Sequence, residues 1–91
     1  MPDAFRTLDF TVTFLESFAG RDFTPSDRKA FLKALRLLDQ NERHPSLRVH
    51  KLEGEREELW SASASVVLRF TFVRAEEGRK ILMTCSKHYD R

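Results

Sequence analysis

The chain is poor in the residues that staple, break or metallate a protein. It has one cysteine, Cys85, so no internal disulfide can form. Cys85 lies within an apolar run and reads as a small buried hydrophobe, which suits a reducing compartment. His44, His50, His88 and Cys85 show none of the close pairing that zinc sites use, so no metal is expected. Only three glycines and three prolines are present, with no Gly-rich phosphate loop, low-complexity tract or internal repeat. Nothing points to a nucleotide cofactor. Long apolar runs are also missing: the first twenty residues carry Asp3, Asp9 and Glu16 and match neither a secretory signal nor a membrane span. A cytoplasmic protein with no membrane association is the expectation.

What remains is the composition of a folded domain. The 91 residues are 41% hydrophobic and 33% charged and include eight phenylalanines, enough for one core and one domain over residues 1–91. The net charge of +2 is unevenly spread. Residues 43–91 hold ten Lys/Arg against seven Asp/Glu, and residues 1–42 hold six against seven. The basic excess lies in the second half, a faint electrostatic footprint that fits nucleic acid and an ordinary surface alike.

Along the chain, β-branched and aromatic residues predict a first strand near Thr7 to Val12. A short helix over FLESFAG follows, closed by Gly20. TPSD is a helix start, with Thr24 as cap, Pro25 in the first turn and Asp27 three residues after the cap. Ala30, Phe31, Ala34, Leu35 and Leu38 then recur at helical spacing, leaving Lys29, Lys33, Arg36 and Asp39 for solvent. QNERHP breaks the helix. LRVHKL alternates, with Leu47 and Val49 on one face and Arg48 and His50 on the other, before a turn at GERE.

LWSASASVVLRFTFVRA is too long for one strand and is read as a hairpin with Ser65, Val66 and Val67 at its tip. Ala64 then faces Leu68, Ala62 faces Phe70 and Trp60 faces Phe72, an apolar face. Parity leaves Ser61, Ser63, Thr71 and Arg69 opposite, an arginine with room around it. Trp60, Phe70, Phe72 and Met83 are expected in the core. The last strand, KILMTCS, divides into Ile81, Met83 and Cys85 against Leu82, Thr84 and Ser86, and the same parity carries His88 to the polar side. Lys87, His88, Tyr89 and Arg91 crowd a terminus that would ordinarily be idle.

LRVHKLEG, then LWSASASVVLRFTF, a turn, an apolar strand and a terminal His-Tyr together resemble the RelE/ParE superfamily of bacterial toxins, the toxin halves of type II toxin–antitoxin pairs. The resemblance spans residues 47–89. It implies an α+β fold, a small antiparallel sheet with two N-terminal helices packed on one face and a concave basic face opposite. Many relatives are endoribonucleases that cut messenger RNA, often in the ribosomal A site. Others bind DNA gyrase, and some are inert.

By the same resemblance, Arg69 matches the strand arginine that meets the scissile phosphate. His88 and Tyr89 match the YoeB-type ending, which serves in acid/base work and RNA contact. His50, in the HKL segment, is a second candidate base, because no residue aligns with the glutamate that YoeB-type relatives use. Arg48, Lys51, Arg56 and Lys87 would track phosphates. The implied partners are a cognate antitoxin, messenger RNA on the ribosome and, through the antitoxin only, operator DNA. Alternatives are a ParE-like, non-enzymatic gyrase inhibitor and a degenerate toxin acting as a co-repressor. Taken singly, a strand arginine is more commonly a solvated cross-strand partner, and a lone histidine more commonly a surface group.

Overall fold

A computed structural model describes residues 5–54 and 58–88. Five strands form one sheet in the order β1-β5-β4-β3-β2, with β1 Leu8–Phe10, β2 His50–Lys51, β3 Leu59–Ser63, β4 Leu68–Arg74 and β5 Lys80–Lys87. Helices α1, Val12–Ala19, and α2, Pro25–Gln40, pack on one face. The expected α+β architecture is present. The pairings are antiparallel apart from β1, which runs parallel to β5 because two helices and three strands intervene.

The first strand is shorter than its composition suggested. It stops at Phe10, and Val12 is already helical, because Thr11 caps α1: its hydroxyl accepts from the Phe14 N–H at 3.0 Å and donates to the Leu82 carbonyl at 2.9 Å. Gly20 ends α1 in extended backbone. The start of α2 has the full capping box, with reciprocal 3.0 Å bonds between Thr24 and Asp27. Phe31, Ala34, Leu35 and Leu38 are buried, and Phe31 meets Phe70 of the sheet edge-on at 6.4 Å between ring centres.

Asp39, expected in solvent, is half-buried. Its carboxylate accepts from the Arg6 N–H at 2.9 Å, the Thr7 N–H at 2.8 Å and the Thr7 hydroxyl at 2.6 Å, tying the entry of β1 to the end of α2.

The hairpin forms in the expected register, Trp60 with Phe72, Ala62 with Phe70 and Ser63 with Arg69. Ser65–Val67 is its tip, where the Ser65 hydroxyl accepts from the Val67 and Leu68 N–H groups. Two expectations fail nearby. LRVHKL does not alternate as one strand: Pro45–Leu47 is a 3-10 turn, Arg48 is left-handed at φ 48°, and only His50 and Lys51 pair with β3. Pro45 fixes the turn, and burial of Leu47 holds it in place.

In β5 the alternation also fails. Thr71 pairs with Thr84 but Phe72 pairs with Leu82, so Met83 is an extra residue. Leu82 and Cys85 therefore both enter the core, while Ile81 falls on the other face beside Val73 and Met83 is left out of the core cluster.

Asp39 yields a test. Burial raises its pKa, but the Thr7 hydroxyl and the Arg6 and Thr7 amides outweigh that, and the net shift is downward. A carboxyl with a depressed folded pKa stabilises above its unfolded value and loses that contribution as pH falls through the folded one. Asp39→Ala should therefore cost about 2–3 kcal/mol at neutral pH. In urea titrations, the gap between variant and wild type should close below about pH 4.

Candidate functional site

The face of the sheet away from the helices can be read from the register. Across it runs a row of small hydroxyls: Thr84, Thr71 and Ser61, ending at His50 on β2. The Thr71 and Thr84 hydroxyls are 2.7 Å apart. The next row is Ser86, Arg69 and Ser63. These short side chains leave Arg69 standing clear of its neighbours.

The Arg69 guanidinium folds toward the hairpin tip. Nη1 donates to the Ser65 carbonyl at 2.7 Å and approaches the Leu68 carbonyl at 3.4 Å. Nε and Nη2 have no partner among the described residues, so one forked edge, the edge that fits two phosphate oxygens, is open. Arg74 and Arg79 differ in this respect, since each binds a carboxylate, Glu42 and Asp9 respectively. Arg69 lines a cavity of about 500 Å³ together with Arg48, Ser46, Ser63 and Ser65.

Arg48 is brought there by its left-handed backbone, a conformation that costs a non-glycine residue about 1 kcal/mol or more. The same turn aims its carbonyl at His50, whose Nδ1 lies 2.9 Å away. A carbonyl can only accept, so Nδ1 carries the hydrogen and Nε2 of the neutral ring is left as an acceptor. His44 shows the opposite arrangement: its Nδ1 accepts from the Ser46 N–H at 3.2 Å and caps the 3-10 turn.

His88 continues the ladder past β5, its N–H donating to the Val67 carbonyl at 2.6 Å. It is exposed, and the pleat turns it to the same face as Ser86. Strand spacing puts its Cα about 8 Å from that of Arg69, and places those of His50 and His88 about 20 Å apart. Arg69 thus has Arg48 on one side and His88 on the other, and the two histidines cannot meet at one phosphate.

Lys87 and Lys51 do not join them. Lys87 faces the helices with Leu68 and pairs with Asp27 at 2.6 Å, and Lys51 lies opposite Trp60 on the helix side. Arg56 and Tyr89 lie outside the described residues. Cys85 offers no nucleophile, since burial pushes its thiol up to about 11.

Sequence reasoning missed a second cavity, of about 420 Å³, on the far side of Arg48. Arg43, His44, Trp60, Arg74 and the carboxylate of Glu42 line it with Arg48, and the Arg74 guanidinium, paired with Glu42, sits 4.5 Å above the Trp60 ring. The signal was present in RHPSLR, where basic residues flank a proline, but only the fold brings them to Trp60. Among the described residues no group of three or more His, Cys, Asp or Glu is placed to hold a metal, and no helix is long and apolar enough to cross a membrane.

No protein-family model and no curated protein matches the chain. Solved structures do match. A YoeB/ParE toxin from Agrobacterium tumefaciens superposes with a TM-score of 0.72 at 17% identity, over 92% of this chain and 100% of that one. An archaeal RelE in a RelE–RelB complex from Pyrococcus horikoshii gives 0.72 at 12% identity, over 97% and 100%. A YoeB from Staphylococcus aureus, solved as a dimer, gives 0.62 at 18%, over 94% and 100%. The chain has the RelE/ParE toxin fold. The resemblance read from residues 47–89 thus extends to nearly the whole chain, helices included.

The His50 geometry makes a direct prediction. In ¹⁵N spectra of the neutral ring, Nδ1 should show the protonated and Nε2 the unprotonated shift. A dominant Nε2–H tautomer would mean that the Arg48 carbonyl does not hold the ring.

Proposed function

We propose that this chain is the toxin of a type II toxin–antitoxin pair and acts in the cytoplasm as an endoribonuclease on messenger RNA in the ribosomal A site. The observation that carries this reading is the open forked edge of Arg69, set among small hydroxyls beside Arg48 and one strand from His88. Such a group suits a phosphodiester, and the solved RelE/ParE toxins of the same fold support the toxin role.

The chemistry needs protein groups alone. Arg69 holds the non-bridging oxygens and gains most when negative charge builds on the phosphorane. One imidazole near that phosphate, His88, takes the 2′-hydroxyl proton as the 2′ oxygen attacks. It then returns the proton to the departing 5′ oxygen. The products are a 2′,3′-cyclic phosphate and a 5′-hydroxyl end, with atoms and protons balanced. Acid/base help of this kind contributes about 10² to 10⁴-fold. His50, too far from His88 to share a phosphate, contacts a flanking nucleotide, and Tyr89 stacks on a splayed base.

The two cavities share Pro45 and Arg48, so a single strand leaving Arg69 continues past Arg48 toward Arg43. Arg56 adds a contact to the RNA backbone in this reading, whereas Lys51, on the helix side, adds none. A cognate antitoxin, as RelB is for the archaeal RelE, covers the basic face and carries operator binding.

The test is brief induction in bacteria lacking an antitoxin, with transcriptome-wide mapping of new 5′-hydroxyl RNA ends. Ends at one codon position within reading frames are expected, and Arg69→Ala and His88→Ala should each lower cleavage by about 10²-fold or more with the fold intact. Growth arrest with a DNA-damage response and intact RNA would replace this reading with gyrase inhibition. Neither arrest nor ends would leave a binding-only co-repressor.

A further inference from the structure

The end of β5 is held from two sides, and one of the holding groups belongs to a helix cap on the other face of the sheet. We propose that Asp27, acting through Lys87, is a positioning residue for His88. The catalytic part of this inference rests on the function proposed above; the structural part stands by itself.

Asp27 Oδ2 does two jobs. It accepts the Thr24 N–H at 3.0 Å to complete the α2 capping box, and it receives Lys87 Nζ at 2.6 Å. Both side chains are largely enclosed, 18% exposed for Asp27 and 21% for Lys87. The Lys87 contact, followed by the Thr24 amide, draws the Asp27 carboxyl below the usual aspartate value, consistent with a carboxylate that stays charged at neutral pH.

Lys87 is the last helix-facing residue of β5, opposite Leu68. The next residue, His88, is fixed through its N–H to the Val67 carbonyl in the hairpin tip. Terminal residues of a strand fray unless something ties them down. Here a charge pair pulls residue 87 toward the helices, and the ladder bond holds residue 88 against the neighbouring strand. The peptide between them is therefore fixed in the orientation that sends the imidazole to the Arg69 face. The carboxylate that completes the α2 cap is thus also the one that places the tail, which links a helix-start residue to His88.

The experiment compares full-length wild type with Lys87→Gln, Lys87→Arg and Asp27→Asn. Asparagine keeps an acceptor for Thr24 and removes only the charge pair. Hydrogen exchange at the His88 amide is measured beside kcat and KM for mRNA cleavage on translating ribosomes, with thermal unfolding as a control. Lys87→Gln and Asp27→Asn should speed His88 exchange about 10-fold. They should also lower kcat by about 10- to 100-fold with KM nearly unchanged. Lys87→Arg should restore both.

Unchanged His88 exchange in both variants would overturn the proposal. So would a raised KM without faster exchange, which would make Lys87 an RNA contact. Faster exchange in a protein whose wild type cuts no RNA would uphold the clamp and overturn the catalytic reading instead. Should Asp27→Asn fail to fold, the Lys87 pair of variants decides alone.

Discussion

Met83 is the residue on which the two faces of the sheet depend. Leu82 must face the helices to pack beside Phe72, and strict alternation from there would send Thr84, Ser86 and His88 to the core side and Cys85 and Lys87 to the open side. One extra residue opposite the Thr71–Phe72 step reverses the phase. Leu82 and Cys85 then both fill the core, Lys87 reaches Asp27 across the helix layer, and Ser86 and His88 come round to Arg69. The cost of the bulge is one unpaired residue. What it allows is an apolar strand that ends in a polar site without a separate loop.

Charge is sorted in a similar way. The net charge of +2 hides an uneven pairing of the cations, since among the described residues four of them meet carboxylates and others do not. Glu42 takes Arg74 and lies 3.6 Å from the buried Lys80, Asp9 takes Arg79, and Asp27 takes Lys87. The two exposed pairs, Arg74–Glu42 and Arg79–Asp9, add little stability. By contrast, Arg48 and Arg69 share a cavity with serines and no carboxylate.

Much of this was legible in the sequence wherever local chemistry and tertiary need agree. The TPSD cap, the Phe31 to Leu38 stripe and the hairpin register all followed from rules of spacing, since small polar residues at Ser61 and Ser63 and large apolar ones at Phe70 and Phe72 allow only one pairing. The failures have a common cause. In LMTC every residue can be buried, so periodicity cannot reveal a skipped position. Parity placed His88 correctly and Leu82 wrongly, since a single phase can fit only one side of the bulge. In LRVHKL the alternation is a pattern of residues whose backbone is turned by Pro45. Asp39 looked solvated because the Arg6 and Thr7 amides it binds come from a segment more than thirty positions away in the sequence.

The site itself was legible as residue types and not as distances. Arg69 and His88 could be assigned to one face from parity alone. That His50 sits three strands from His88 follows only from the strand order, which places β5 next to the β1 edge and β2 at the opposite edge. This order also separates stability from chemistry. The phenylalanine network, from Phe5 through Phe10, Phe14, Phe18 and Phe31 to Phe70, lies wholly on the helix side. The open face contributes hydroxyls and cations that the core does not need. Substitutions there leave the core packing untouched and cost little stability, whereas the Asp27–Lys87 pair ties the helix layer to the end of β5 that leads into His88.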